Sequence, residues 1–498
     1  MKSKLSNKGY IIIKEEYSDK EIKKIKKELN VSPYSPYQSK FTPPPSYPIY
    51  LESKRKLYLP RYWALDNLGP PEKFCVNEGT SIDIKFTGSL RPVQEEAVSA
   101  YMKNCYPEYG GGILCLGCGF GKTIISLYLL SMLKKKTLVI VHKEFLLNQW
   151  IERIKAFLPD AQVGRIQAKT FDIAGKDIVI GMLQSLSMKE FEEGAFDSFG
   201  TVIVDEAHHI SSEVFSRSLP KVSFKYTIGL TATPNRADGL QKVFEWFLGP
   251  IVYKSKGGKQ HDVFVKVIQI DDSNNSYSKI EEGYDGKPIT ARMITNVSNY
   301  EPRTSVIIRE VEKIMEEPGR KMLLLSDRRD HLKNIHTQLT EKGFDVGFYV
   351  GGMKQKDLDI SETKPIILGT FSMSSEALDI PELNTLFMTT PKSNIEQSVG
   401  RILRKTHEIR PLIIDIKDNF RPFLNQSNKR KAFYKKCKYE IYDMQVKPTE
   451  MEKVLEKNKN IHNITCNIID DLNETETKNS KKNKEQIKIE ECLFSDGD

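Results

Sequence analysis

This 498-residue chain has no run of eighteen apolar residues, and so no segment fit to cross a bilayer as a helix. Its first ten residues carry three lysines and no apolar core, so a secretory signal is not expected there. Cysteine is sparse and odd in number, with seven residues at 75, 105, 115, 118, 437, 466 and 492. Cys115 and Cys118 have CxxC spacing, but no second pair completes a zinc set, and the two lie in a glycine-rich turn. Neither a disulfide framework nor structural zinc is expected, and the cysteines read as reduced, in an intracellular protein with no membrane partner. Charge is unevenly spread. The net charge is +9, yet the last 48 residues hold 8 lysines and 11 acidic residues, a net −3, which leaves +12 on the first 450. A basic body suits a polyanionic partner, and solvated lysine-rich faces account for the same balance equally well.

The chain that is present changes texture near Phe86. Residues 1–85 read as an accessory module. Within it Ile22, Ile25 and Leu29 recur at helical spacing with lysines opposite, a pattern for either a solvated amphipathic helix or one laid on nucleic acid. Pro43–Pro45 marks irregular chain, and Tyr58–Trp63 mixes aromatics with Arg61, to pack on the next domain or to stack bases, packing being favoured. From 86 to 250, apolar runs of strand length (112–116, 137–142, 177–181, 201–205, 226–231) alternate with helical patterns. Continuous apolar strands between helices predict a parallel sheet covered on both faces, with ligands at the carboxyl ends of the strands. Residues 251–300 are more polar and read as a connector or small insertion. A second series over 301–445 repeats the pattern, with strands expected at 321–326, 347–350, 366–370, 385–389 and 412–415. The fold class is therefore α/β with two tandem parallel-sheet domains. The stretch 446–498, rich in Lys, Glu and Asn, is expected to be a disordered polar tail.

The chemistry gathers around Gly117-Cys118-Gly119-Phe120-Gly121-Lys122-Thr123. It follows one apolar run and precedes another, which is the strand–turn–helix context of a phosphate loop. Glycines let backbone N–H groups close on a phosphate chain, and the helix N-terminus favours the anion. Lys122 would reach the β/γ-phosphates and the Thr123 hydroxyl would ligate Mg²⁺. The strict pattern has glycine where this chain has Leu116. Downstream, Asp205-Glu206-Ala207-His208 ends an apolar run. A carboxylate there can hold the Mg²⁺ of a nucleotide (Asp205), and its neighbour (Glu206) can orient and deprotonate an attacking water. In the second series, Gln397-Ser-Val-Gly-Arg401-Ile-Leu-Arg404 sets two arginines three apart, on one face if helical.

Together with Thr231-Ala-Thr233, these stretches resemble the motif set of the superfamily 2 helicases and translocases across residues 86 to 445. Within that superfamily, Leu230–Thr233 and Gly400–Arg404 are similar to the XPB-type DNA motors. Val141–Trp150, Tyr349–Lys356, Ser372–Pro381 and Thr389–Ser393 are similar to the helicases of large cytoplasmic DNA viruses, including the poxvirus-type transcript-release helicases. The resemblance implies two RecA-like domains with ATP and Mg²⁺ between them, and Arg401 and Arg404 acting as arginine fingers. It implies that Gln94 reads the adenine edge and that Asp379 contacts ribose or senses the γ-phosphate. Thr231, Thr233 and Gln397 would couple hydrolysis to movement. His142, Lys143, Gln184, Ser185, Arg328 and Thr370 would line the nucleic-acid track. Arg236-Ala237-Asp238 resembles the group's Arg-Glu-Asp element with its centre changed.

The function implied by the resemblance is that of an ATP-dependent 3′→5′ DNA translocase or helicase. It would serve viral transcription beside RNA polymerase or transcription factors, in the host cytoplasm at the virus factory and in the virion. RNA is the alternative track, invited by the Asp-Glu-Ala-His spelling. The RNA enzymes with that box usually spell the finger Gly-Arg-Ala-Gly-Arg and carry long C-terminal domains, whereas little folded chain is expected here past 445. A repair or recombination motor and an inactive scaffold are the other readings; the intact Lys122, Asp205, Glu206, Arg401 and Arg404 argue against the scaffold.

Overall fold

The structure, a computed structural model, describes residues 2–34, 46–104, 110–117, 119–207, 218–232, 239–255, 261–272, 274–284, 286–376 and 378–448. Cys118, Thr233, the 236–238 element, Pro43–Pro45 and the tail from 449 onwards lie outside the described residues. The N-terminal strands are β1 (Ser3–Ser6), β2 (Gly9–Ile13), β3 (Asn30–Val31), β4 (Tyr47–Pro48), β5 (Leu51–Glu52), β6 (Lys56–Leu59) and β7 (Lys73–Cys75). Five of them form one sheet in the order β5-β6-β2-β1-β7. Helix α1 (Asp19–Glu28) begins at a capping box. The Ser18 side chain accepts the Glu21 N–H, and the Glu21 carboxylate accepts the Ser18 N–H.

Helix α2 (Arg61–Leu68) shows what the Tyr58–Trp63 stretch does. Arg61, Tyr62 and Trp63 are all buried. The Arg61 guanidinium donates to the backbone carbonyls of Ser223 at 3.1 Å, Phe224 at 2.5 Å and Lys225 at 3.2 Å. The stretch packs on the next domain. The N-terminal core extends into that domain too, because Leu240 and Val243 belong to the same cluster as Tyr10, Ile12 and Trp63.

The second sheet runs β11-β10-β12-β9-β13-β14-β8-β15. Its strands are β8 (Gly111–Cys115), β9 (Thr137–Val141), β10 (Val163–Gln167), β11 (Thr170–Phe171), β12 (Ile178–Met182), β13 (Thr201–Val204), β14 (Tyr226–Thr231) and β15 (Ile251–Lys254). All its pairings are parallel except β10 with β11. Helices α3 (Pro92–Asn104), α4 (Lys122–Leu133) and α5 (Glu144–Phe157) cover one face, with Leu114, Val139 and Trp150 in the core between. The other face buries Phe199, Phe224 and Phe244. Buried on both sides, these strands are the near-continuous apolar runs legible in the sequence.

The third sheet runs β18-β19-β17-β20-β21-β16-β22 and is parallel throughout. It comprises β16 (Phe264–Ile270), β17 (Met322–Leu325), β18 (Val346–Tyr349), β19 (Ile366–Gly369), β20 (Thr385–Met388), β21 (Leu412–Asp418) and β22 (Glu440–Val446). Here the structure departs from the expected connector. Residues 251–254 join the second sheet and 264–270 the third, because these largely apolar stretches find strand partners at β8, and at β21 and β22. Among the described residues no helix is long and apolar enough to cross a membrane.

Candidate active site

The site is built at the carboxyl ends of the two large sheets. Strand β8 feeds the glycine loop, which turns into α4 at Lys122. Gly121 caps that helix at φ +85°, and a Cβ there would meet the Gln94 amide. Only glycine fits this left-handed, crowded turn. Gln94 is buried, and its amide is engaged by the chain itself. Nε2 donates to the Phe120 carbonyl at 2.9 Å, and Oε1 accepts the Arg91 N–H at 2.9 Å. Arg91 donates to the carbonyls of Gly119 at 3.2 Å and Phe120 at 2.6 Å. In this structure the residue expected to read adenine braces the loop, with Arg91 as its partner.

Strand β13 delivers Asp205 and Glu206, with β14 lying between β13 and β8. Two strand spacings set the carboxylates roughly 9.5 Å from the loop strand. Glu206 takes a left-handed turn at φ +48°, unusual for a residue with a Cβ and typical of strain held at a functional turn. Its N–H donates to Asp205 Oδ1 at 3.0 Å, and its carboxylate accepts from the Lys122 ammonium. Asp205 Oδ2 accepts the Trp150 indole N–H at 3.0 Å. Burial pushes the Asp205 carboxyl above its usual range, Lys122 opposes the shift and Glu206 adds to it. A carboxylate held rigidly and disfavoured as a lone anion fits a cation beside it. One carboxylate and one hydroxyl (Thr123) form the hard-oxygen set that Mg²⁺ uses when substrate phosphates supply further ligands. Thr231 ends β14 between these two strands and is buried.

From the third sheet come Gln397 on the short helix 396–399, Arg401, and Arg404 just after the 3₁₀ turn 400–403. Arg401 donates to the Leu378 carbonyl at 2.7 Å. Arg404 pairs with Asp379, whose carboxylate also accepts from Arg153 of α5 at 2.9 Å. One cleft of about 800 Å³ is lined by Lys122, Thr123, Glu206, Gln397, Arg401 and Arg404. The expected nucleotide-site residues therefore meet across the two sheets. Asp379 lines the same cleft, with its carboxylate held between the two arginines.

The expected track residues follow the carboxyl ends of strands. His142 and Lys143 follow β9, Gln184 and Ser185 follow β12, and Thr370 follows β19. Gln184 is exposed, and the Ser185 hydroxyl accepts the Ala168 N–H at 3.1 Å. The Thr370 hydroxyl lies 3.3 Å from that of Ser372. Arg328 follows β17, and its guanidinium donates to Thr295 Oγ1 at 2.9 Å, to the Ala291 carbonyl at 2.5 Å and to the Asp327 carbonyl at 3.0 Å, which ties it to the helix 290–298.

Trp150 and Arg153 were not singled out from sequence as site residues. For Arg153 the available signal was the face of α5 on which Phe145, Gln149 and Arg153 recur at intervals of four, whereas Trp150 lies on the buried face with Leu146, Leu147 and Ile154 and reads as core. Trp150→Phe keeps the buried ring and removes the donor to Asp205. It is expected to lower kcat for ATP about tenfold, the size of one hydrogen bond to a charged group, with the thermal midpoint nearly unchanged. An unaltered kcat would remove Trp150 from the site.

A glycine loop on a parallel sheet, an acidic pair on a nearby strand, and arginines from a second sheet define a nucleotide-hydrolysing P-loop motor. Comparison with known proteins narrows the class. A protein of Acanthamoeba polyphaga mimivirus, named an ATP-dependent RNA helicase, is 36% identical over 452 residues, covering 89% of this chain and 86% of its own. An African swine fever virus protein of the same name is 27% identical over 384 residues, covering 70% and 73%. The family described as type III restriction enzyme, res subunit, matches residues 87–236. Two solved structures share the fold. Yeast Dbp5 bound to RNA and ADP BeF3 has a TM-score of 0.50 at 12% identity, covering 74% of this chain and 93% of that one. The type ISP restriction-modification enzyme LlaBIII bound to DNA has a TM-score of 0.52 at 18% identity, covering 74% and 32%. The chain belongs to the superfamily 2 helicases and is closely related to those of giant viruses. Its two large sheets are RecA-like, and it is an ATP-hydrolysing enzyme.

Proposed function

We propose that this chain is a DNA translocase of the XPB type, moving 3′→5′ on ATP hydrolysis and serving viral transcription at elongation or transcript release. The observation that carries the reading is the single cleft in which Lys122 and Glu206 face Arg401 and Arg404. The glycine loop, residues 117–121, cradles the phosphates of ATP and Lys122 binds the β/γ-oxygens. Thr123 and Asp205 would hold Mg²⁺, which supplies charge neutralisation on the phosphates. Glu206 takes the proton of the attacking water, and Arg401 and Arg404 stabilise charge on the transferring phosphoryl group. Thr231, Thr233 and Gln397 would couple hydrolysis to movement along the track residues His142, Lys143, Gln184, Ser185, Arg328 and Thr370. Backbone contacts of this kind are independent of sequence and sensitive to salt. The pairing of β16 and β22 in the third sheet supports a second motor domain that begins near residue 261.

The finger spelling Gly-Arg-Ile-Leu-Arg favours DNA. RNA is the second reading, favoured by the names of the mimivirus and African swine fever virus relatives. Steady-state ATPase with single-stranded DNA, duplex DNA and RNA added in turn separates them. Stimulation of tenfold or more by DNA and little by RNA is the expected result. Preferential stimulation by RNA would overturn the DNA assignment and its transcription role.

A further inference from the structure

In this structure two sets of charged groups in the cleft are paired with one another. Lys122 is paired with Glu206, and Arg404 with Asp379. Asp379 is shared: its other partner, Arg153, comes from α5 on the opposite side of the cleft and donates to Oδ2 at 2.9 Å. The same helix face carries Phe145, which packs against the core of its own sheet and against that of the third sheet. Helix α5 therefore bridges the two halves by an apolar contact at its first turn and by an ion pair two turns later.

The sharing has a consequence for Arg404. To reach a phosphate, its guanidinium must leave Asp379. If Asp379 had no other partner, that step would strand a carboxylate, one third exposed, beside an incoming polyanion. Arg153 removes the penalty, because it still pairs with the carboxylate when Arg404 departs. We propose that Arg153 is a positioning residue for ATP hydrolysis, which takes sole charge of Asp379 and so releases Arg404 to the transferring phosphoryl group. The proposal rests on the reading of Arg404 as an arginine finger. The Arg153 side chain is about half exposed, so its substitution leaves the core intact.

The test is a double-mutant cycle in steady-state ATPase of the full chain at saturating nucleic acid, with Arg404→Ala as reference. Arg153→Ala is expected to lower kcat about tenfold with KM for ATP within twofold, and Arg153→Lys to restore most of the rate. In an Asp379→Asn background there is no carboxylate left to neutralise, and adding Arg153→Ala is expected to change kcat less than twofold. A further tenfold fall in that background would assign Arg153 a role unconnected with Asp379 and overturn the proposal, as would a wild-type kcat for Arg153→Ala. A wild-type rate for Arg404→Ala would instead overturn the finger assignment on which it stands.

Discussion

Glu206→Gln is expected to lower ATP turnover about 10³-fold, the middle of the range for loss of a positioned general base, while leaving nucleotide affinity equal or tighter. The two halves of this outcome follow from one contact. The Glu206 carboxylate accepts from the Lys122 ammonium, so the group that would deprotonate water also holds the group that would bind phosphate. Glutamine is isosteric and keeps the left-handed turn and the N–H bond to Asp205, but it loses the basicity and, with the charge, most of the grip on Lys122. Lys122→Ala is expected to lose turnover to the same order together with affinity, because the ammonium itself has gone. Single-turnover hydrolysis beside equilibrium binding of a fluorescent ATP analogue separates the two variants. A Glu206→Gln protein within tenfold of the wild-type rate would remove Glu206 from the role of base.

This contrast matters because both residues were legible in sequence and their contact was not. Lys122 and Glu206 each sit in a local pattern, one in a glycine loop between a strand and a helix and the other at the end of an apolar run. Local patterns report backbone geometry, and the ten long strands inferred from apolar runs lie within a residue or two of their observed limits, apart from the longer β21. What local patterns cannot report is which distant side chain occupies a donor. Gln94 spends its amide on Phe120, Arg328 on helix 290–298, and Asp379 on Arg153 and Arg404. Each was assigned from its place in a motif, and each is held by a partner at a sequence separation that no periodicity encodes. The strand 264–270 was missed for another reason. Five of its seven residues are apolar, but Lys266 and Gln269 break the run into short pieces, and it stands between the polar stretches 254–262 and 271–276. The short N-terminal strands, two to five residues long, give too brief a pattern to register.

Two buried ion pairs show how that unseen layer reaches the site, and they lead to the largest expected effect on stability. Asp415 and Asp418 both lie on β21 and are buried, each against a buried arginine. Arg303 binds both oxygens of Asp418, at 2.7 and 3.0 Å, and also donates to the Thr389 carbonyl at 2.7 Å. Tyr277 donates to the same carboxylate at 2.7 Å. Arg430 binds Asp415 and donates to the Lys392 carbonyl at 2.6 Å. The run 389–392 is thus clamped at both ends by arginines that the two aspartates orient, and it leads directly into the segment carrying Gln397, Arg401 and Arg404. Asp418→Ala leaves the Arg303 guanidinium buried without a counter-charge, a loss of about 3–5 kcal/mol. It is expected to lower the thermal midpoint by about 10 °C or more. Replacing both partners, Arg303→Met with Asp418→Leu, removes the stranded charge and is expected to recover part of that stability, short of all of it because Tyr277 and the Thr389 carbonyl lose their partners. Stability and catalysis should then separate. The double variant regains thermal midpoint but not kcat, since the clamp on Thr389 that aims the arginine segment has gone. A midpoint for Asp418→Ala within 2 °C of wild type would show that the pair is dispensable to the fold, and full recovery of kcat in the double variant would show that the clamp plays no part in placing Arg401 and Arg404.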